Sequence, residues 1–135
     1  MRYITPRKAA KGLGAAGPGA STAHHWGMTV SSAALLILTP AFMLVIASAI
    51  GLPHDAVVAY FSRPYPALVT ALFLIVGMHH YINGTRILID DYLDHAERKI
   101  AIILSHLFGW AVIAAGAYAL VRMARSPAIT AVVVS

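Results

Sequence analysis

A histidine, an aspartate and a tyrosine follow one another along a single apolar segment of this 135-residue chain. At 100° per residue in an α-helix, His80 and Asp91 share one stripe with Gly77, Gly84 and Ile87. His80 then lies about three turns, roughly 16 Å, from Asp91 along the helix axis. An imidazole between two glycines, which leave room for a flat group, suits axial haem ligation. A hydrogen bond from His80 to another helix explains the spacing equally well.

Asp91 and Tyr92 form a second candidate pair at the end of the same segment. A phenol can donate a hydrogen bond to a quinone carbonyl, and a neighbouring carboxylate can relay a proton. The structural alternative is that Tyr92 belongs to the aromatic belt of a membrane and that Asp91 simply ends a helix. His79 points about 100° away from His80 and is interpreted as an interfacial or supporting residue.

The composition indicates a membrane protein. Hydrophobic residues make up 59% of the chain and charged residues 11%, against about 45–50% and roughly 25% in soluble domains. Three stretches, about 28–52, 64–85 and 100–121, contain no Asp, Glu, Lys or Arg and are each long enough to cross a bilayer as a helix. We therefore predict an all-α membrane protein with three transmembrane helices at about 28–52, 64–90 and 99–122. A soluble three-helix bundle is disfavoured because the first and third segments have no polar face.

These helices form one predicted unit, residues 24–126, between a flexible basic and glycine-rich arm, residues 1–23, and a short tail, residues 127–135. Lys and Arg are concentrated in the arm and between the second and third helices, which predicts a cytoplasmic N-terminus and a periplasmic C-terminus. Pro40 predicts a kink in the first helix. Pro53, Pro64 and Pro66 bracket a predicted short outer loop.

Other polar and small residues have simpler interpretations. Ser31, Ser32 and Thr39 are expected to bond back to the preceding helical turn. The third helix carries small residues at helical spacing, which favours close packing; they are Gly109 with Gly116, and Ala111, Ala115 and Ala119. The chain has no Cys, which excludes thiolate metal sites and disulfides. The basic arm fits membrane topology better than nucleic-acid binding. The G-x-G-x-x-G pattern at residues 12–17 follows no strand, so it does not indicate a dinucleotide site.

The spacing His80-x3-Gly84-x6-Asp91-Tyr92 on the middle helix resembles the D-type hydrophobic membrane anchor subunit of succinate dehydrogenase, complex II. The run His24-His25-Trp26, followed by Ser31-Ser32-Ala33, resembles the alphaproteobacterial branch of that family. The resemblance implies a bacterial inner-membrane complex in which a flavoprotein oxidises succinate and an iron–sulfur subunit carries the electrons. Two anchors, this chain and a C-type cytochrome b-like partner, pack into a larger bundle that binds haem b and ubiquinone. The isolated chain would catalyse nothing.

By this resemblance His80 is one axial ligand of the haem iron, with the other from the C-type partner, and Gly84 gives clearance for the haem. Tyr92 hydrogen-bonds the ubiquinone head and Asp91 assists proton delivery. His24 lies near a haem propionate.

One position departs from the family. Six residues after His24 the family commonly has an Arg that can pair with the propionate, and this chain has Val30. Two alternatives also stay open. One is a self-contained b-type cytochrome with His80 and His106 as ligands. The other is a purely structural or assembly subunit in which every polar residue serves packing.

Overall fold

The computed structural model describes the backbone of residues 20–126 and the side chains of residues 26–126. Within that part all regular elements are helices, which are α1 (Ala20–Ala49), α2 (His54–Phe61), α3 (Pro64–Tyr92) and α4 (His95–Ala124). Three of them, α1, α3 and α4, are long and apolar enough to cross a membrane. The predicted all-α fold with three spans is therefore confirmed, while the predictions for most of the arm and for the tail lie outside the described residues.

Proline and extended backbone set the ends of α3. Pro64 occupies its first turn, where a missing N–H costs nothing, and Arg63 before it is extended. At the other end Leu93 and Asp94 are extended, so α3 stops and α4 begins after two residues. His95 opens α4 with a φ of 52°, a backbone conformation that side chains other than glycine seldom adopt.

The segment between the first two spans differs from expectation. The structure forms the short helix α2 where the sequence predicted only a loop, and Phe61 at its end is buried. Helix α1 runs on through Pro40, and the kink predicted at that residue stays a prediction.

Helix α3 lies between α1 and α4 and makes most of the contacts between the long helices. On one side α1 runs antiparallel to it, which brings Ser31 to His80 and stacks Phe42 on Phe73 with 4.1 Å between ring centroids. On its other side α4 also runs antiparallel, and Gly109 of α4 lies against Ile82. This sandwich gives α3 two different faces, and His80 belongs to the one that meets α1.

Few side chains are buried within the described residues. The apolar ones are Val45, Phe61, Pro66, Val69 and Ile89. Val45, Phe61 and Val69 form one cluster where α1, α2 and α3 meet. Many large apolar side chains on α1, α3 and α4 are exposed, as expected for surfaces that meet lipid or another transmembrane chain.

Candidate functional site

A hydrogen bond between α1 and α3 holds His80. Its Nδ1 atom lies 3.0 Å from Oγ of Ser31, which is itself 2.8 Å from the carbonyl oxygen of Gly27 and 3.0 Å from that of Met28. Ser31 is only 5% exposed, so water cannot readily replace the imidazole. The expected bond from Ser31 to the preceding turn is confirmed. His80 also forms the hydrogen bond to another helix that was the alternative to haem ligation, with Ser31 as a partner that the sequence did not name.

His80 also contributes to the wall of an open cleft of ≈ 610 Å³ on the α1 side of α3. The other lining residues all come from α1, and they are Ser32, Leu35, Leu36, Thr39 and Pro40. The cleft is therefore mostly apolar, with one imidazole and two hydroxyl groups. Since Nδ1 is bonded to Ser31 and Nε2 has no partner within the described residues, the second ring nitrogen is available to a group that enters the cleft.

The glycines on either side of His80 face α1. A Cβ atom at Gly77 would lie 3.9 Å from Leu35, and one at Gly84 would lie 3.7 Å from Met28. Both are ordinary van der Waals distances, so the space beside these glycines is bordered by α1 side chains in this chain. The role of Gly84 in giving clearance to a haem stays a prediction.

His106 lies on a different helix, and the packing separates it from His80. Helix α4 packs on the α3 face that carries Met78 and Ile82, the nearest neighbours of Gly109. His80 is two residues away from both Met78 and Ile82, which corresponds to a rotation of about 160–200° around the helix axis. His80 therefore lies on the opposite face of α3. The body of α3 thus lies between the two imidazoles, which disfavours a haem held by His80 and His106 within one chain. Nδ1 of His106 bonds the carbonyl oxygen of Ile102 at 2.8 Å.

Asp91 and Tyr92 lie at the end of α3, next to the turn into α4. Both are exposed, and Tyr92 reaches 80%. Across this turn the Nε atom of Arg98 donates to Oδ1 of Asp90 at 2.6 Å, which ties the start of α4 to the end of α3. Continuous helix joins Asp91 to His80, so the structure keeps the two on one stripe about 16 Å apart along the axis.

Two further histidines were singled out in the sequence. His79 is exposed, and its Nε2 atom lies 3.0 Å from Nδ2 of Asn83, one turn along α3, so it does not share the bond that holds His80. The side chain of His24, the predicted neighbour of a haem propionate, lies outside the described residues. Val30, at the position where the resemblance led us to expect Arg, is 61% exposed and carries no charge.

The fold and the site together define a multi-pass helical membrane protein with an imidazole held inside its second span. The profile of the family described as "Succinate dehydrogenase/Fumarate reductase transmembrane subunit" matches residues 1–121. The chain therefore belongs to this family of respiratory membrane subunits.

A relative in Paracoccus denitrificans, named "Succinate dehydrogenase hydrophobic membrane anchor subunit", is 66% identical over 123 residues, which cover 91% of this chain and 94% of the relative. No solved structure matches the chain.

Proposed function

We propose that this chain is the D-type anchor of a succinate:ubiquinone oxidoreductase. In that complex it binds haem b together with a C-type anchor and helps to bind ubiquinone. It also docks the iron–sulfur subunit, which receives electrons from the flavoprotein. The complex lies in the bacterial inner membrane, with the turn between α3 and α4 on the cytoplasmic side. The basic residues near that turn, Arg86, Arg98 and Lys99, support this orientation.

The observation that carries the proposal is the state of His80. One ring nitrogen is bonded to Ser31, the other has no partner within the described residues, and the ring borders a mostly apolar cleft. These are the properties that an axial ligand needs, because ligating histidines use one nitrogen for the iron and the other for an orienting hydrogen bond. The residues present therefore fit a haem at this position. When bound, haem b supplies a one-electron redox centre inside the membrane.

The opposite face of α3 has no part in this site. Since α4 covers the side away from His80, we expect the second axial ligand to come from another chain that approaches α1 and α3. The exposed apolar residues of α1 provide such a surface, including Leu36 at 79% and Ile37 at 73% exposure. This requirement agrees with a haem shared between two anchor subunits.

The quinone part of the proposal rests on Tyr92 and Asp91. Their end of α3 lies at the membrane boundary, where an amphipathic quinone head can meet both water and a docked electron donor. The phenol of Tyr92 donates a hydrogen bond to a quinone carbonyl, and the carboxylate of Asp91 passes protons from the aqueous side. Both side chains are exposed and so available to a substrate or a docked subunit.

The test of haem ligation compares His80→Ala with His106→Ala in the purified complex. His106 is a matched control because it is also partly buried and its Nδ1 atom also forms a hydrogen bond. That bond, of 2.8 Å, goes to the carbonyl oxygen of Ile102 in its own helix. We expect the reduced-minus-oxidised spectrum to lose the b-type signal in His80→Ala and to keep it in His106→Ala. Loss in both variants would instead support the self-contained cytochrome. Full haem in both would remove His80 from the haem site, and only the structural or assembly role would remain if quinone reduction were also unaffected in Tyr92→Phe.

The test of quinone binding compares Tyr92→Phe with Tyr65→Phe. Tyr65 lies at the other end of the same helix and is 62% exposed, so its variant removes a similar phenol on the opposite membrane side. One neutral hydrogen bond contributes about 0.5–1.5 kcal/mol, so Tyr92→Phe should slow quinone reduction up to about tenfold. Succinate oxidation by a soluble dye should be unchanged in both. Equal quinone turnover in the two variants would remove Tyr92 from the site.

A further inference from the structure

We propose that Ser31 is a positioning residue that fixes the tautomer and the orientation of the His80 imidazole for iron ligation. The hydrogen bond between them is a feature of the described chain. Its consequence for the iron rests on the function proposed above.

The proton arrangement follows from the three atoms around Oγ of Ser31. Two of them are carbonyl oxygens, of Gly27 at 2.8 Å and Met28 at 3.0 Å, and these can only accept hydrogen bonds. A hydroxyl has one proton, and at these distances it must point toward the carbonyls, since otherwise oxygen lone pairs would face each other. The third atom, Nδ1 of His80 at 3.0 Å, must then donate to Oγ. Ser31 thereby selects the tautomer with the proton on Nδ1.

This tautomer prepares the other nitrogen. A neutral imidazole has one N–H, so a proton on Nδ1 leaves a lone pair on Nε2. That lone pair is the one an iron needs, and no rearrangement of protons is required before binding. The same bond limits rotation of the ring, because Ser31 is 5% exposed and held by its own helix.

The bond also affects the iron electronically. When a ligating imidazole donates its second N–H to an acceptor, it becomes a stronger electron donor to the metal. Stronger donation favours the oxidised iron, so removal of the Ser31 hydroxyl should raise the midpoint potential of the haem. Removal should also weaken haem retention, since loss of such a partner typically costs 10–100-fold in metal affinity.

The experiment uses the intact complex with Ser31→Ala, Ser31→Thr and Ser105→Ala. Ser105 is the matched control because it is 7% exposed and its Oγ donates to the carbonyl oxygen of Ile102 at 2.9 Å rather than contacting an imidazole nitrogen. That carbonyl also bonds Nδ1 of His106, which is not a proposed ligand. Three quantities are measured, namely the rate of haem transfer to apomyoglobin, the midpoint potential of the haem, and its low-spin electron paramagnetic resonance spectrum. Threonine keeps the hydroxyl and can also bond the preceding turn.

We expect Ser31→Ala to transfer haem at least tenfold faster, to have a higher midpoint potential and to show an altered spectrum. Ser31→Thr should restore the potential and the spectrum toward those of the unaltered complex, and Ser105→Ala should change neither. An unaltered potential and spectrum in Ser31→Ala would overturn the inference, as would equal changes in Ser31→Ala and Ser105→Ala. If His80→Ala keeps its haem, the ligand assignment itself fails. If His80→Ala loses haem while Ser31→Ala behaves normally, only the role of Ser31 fails.

Discussion

Helix α4 packs closely on α3 at Gly109, and this contact predicts the effect of adding a single methyl group. A Cβ atom built at Gly109 would lie 2.6 Å from Cδ1 and 2.8 Å from Cγ1 of Ile82, and 4.0 Å from the carbonyl oxygen of Met78. The two short distances are well inside van der Waals contact. Gly109→Ala therefore forces Ile82 out of its rotamer or moves α4 away from α3.

The size of the effect is a balance of two terms. Overpacking a well-packed position typically costs about 1–3 kcal/mol, while replacing glycine by alanine inside a helix contributes about 1 kcal/mol of stability. We expect a net loss on the order of 1 kcal/mol for Gly109→Ala. At Gly77 the new methyl would meet Leu35 at 3.9 Å, an ordinary contact. Only the favourable helix term applies between these two helices, so Gly77→Ala should be neutral or stabilising in samples whose spectrum shows an unchanged haem content.

The assay is thermal dissociation of the purified complex, followed by the fraction of this chain that stays with the succinate-oxidising subunits. We expect a lower midpoint for Gly109→Ala than for Gly77→Ala. The cost of Gly109→Ala should be smaller in an Ile82→Ala background than in the unaltered chain, because Ile82→Ala removes both atoms that the new methyl meets. A Gly109→Ala midpoint equal to or above that of Gly77→Ala, or the same cost in both backgrounds, would refute the close-packing argument.

Two smaller predictions concern other polar contacts of α3. Oγ1 of Thr70 is buried without a hydrogen-bond partner within the described residues. Thr70→Val should therefore stabilise the protein by about 1 kcal/mol, which is measured as a higher thermal midpoint. A lowered midpoint would show that the hydroxyl has a partner. The ion pair of Arg98 and Asp90 is partly exposed, so Arg98→Ala should lower the midpoint slightly in dilute buffer and not at molar salt. A deficit that persists at high salt would contradict a mainly electrostatic contribution.

The three spans could be predicted because lipid imposes a simple rule on sequence. A segment without charges and long enough to cross the bilayer must satisfy its own backbone, and a helix does so. The sequence did not indicate α2, because eight residues between prolines carry no span-length signal. Its last residue, Phe61, is buried against α1 and α3, so tertiary contacts contribute to that helix.

The candidate site could be predicted only along one helix. Helical periodicity places His80 and Asp91 on one stripe, and the continuous α3 confirms that geometry. The contact of Ser31 with His80 joins residues 49 positions apart in different helices, and no spacing within a single sequence reports such a pair. The close packing predicted at Gly109 and Gly116 is confirmed against α3, where the two glycines meet Ile82 and Leu74.

The sparse interior described above affects how the molecule matures. Each long helix is stable in lipid by itself, because its backbone hydrogen bonds are internal. Few side chains between them are fully buried in the described residues, Val45 and Val69 among them. We therefore expect a newly inserted chain to reach its final arrangement of α1 and α4 around α3 as a neighbouring subunit covers the exposed apolar faces.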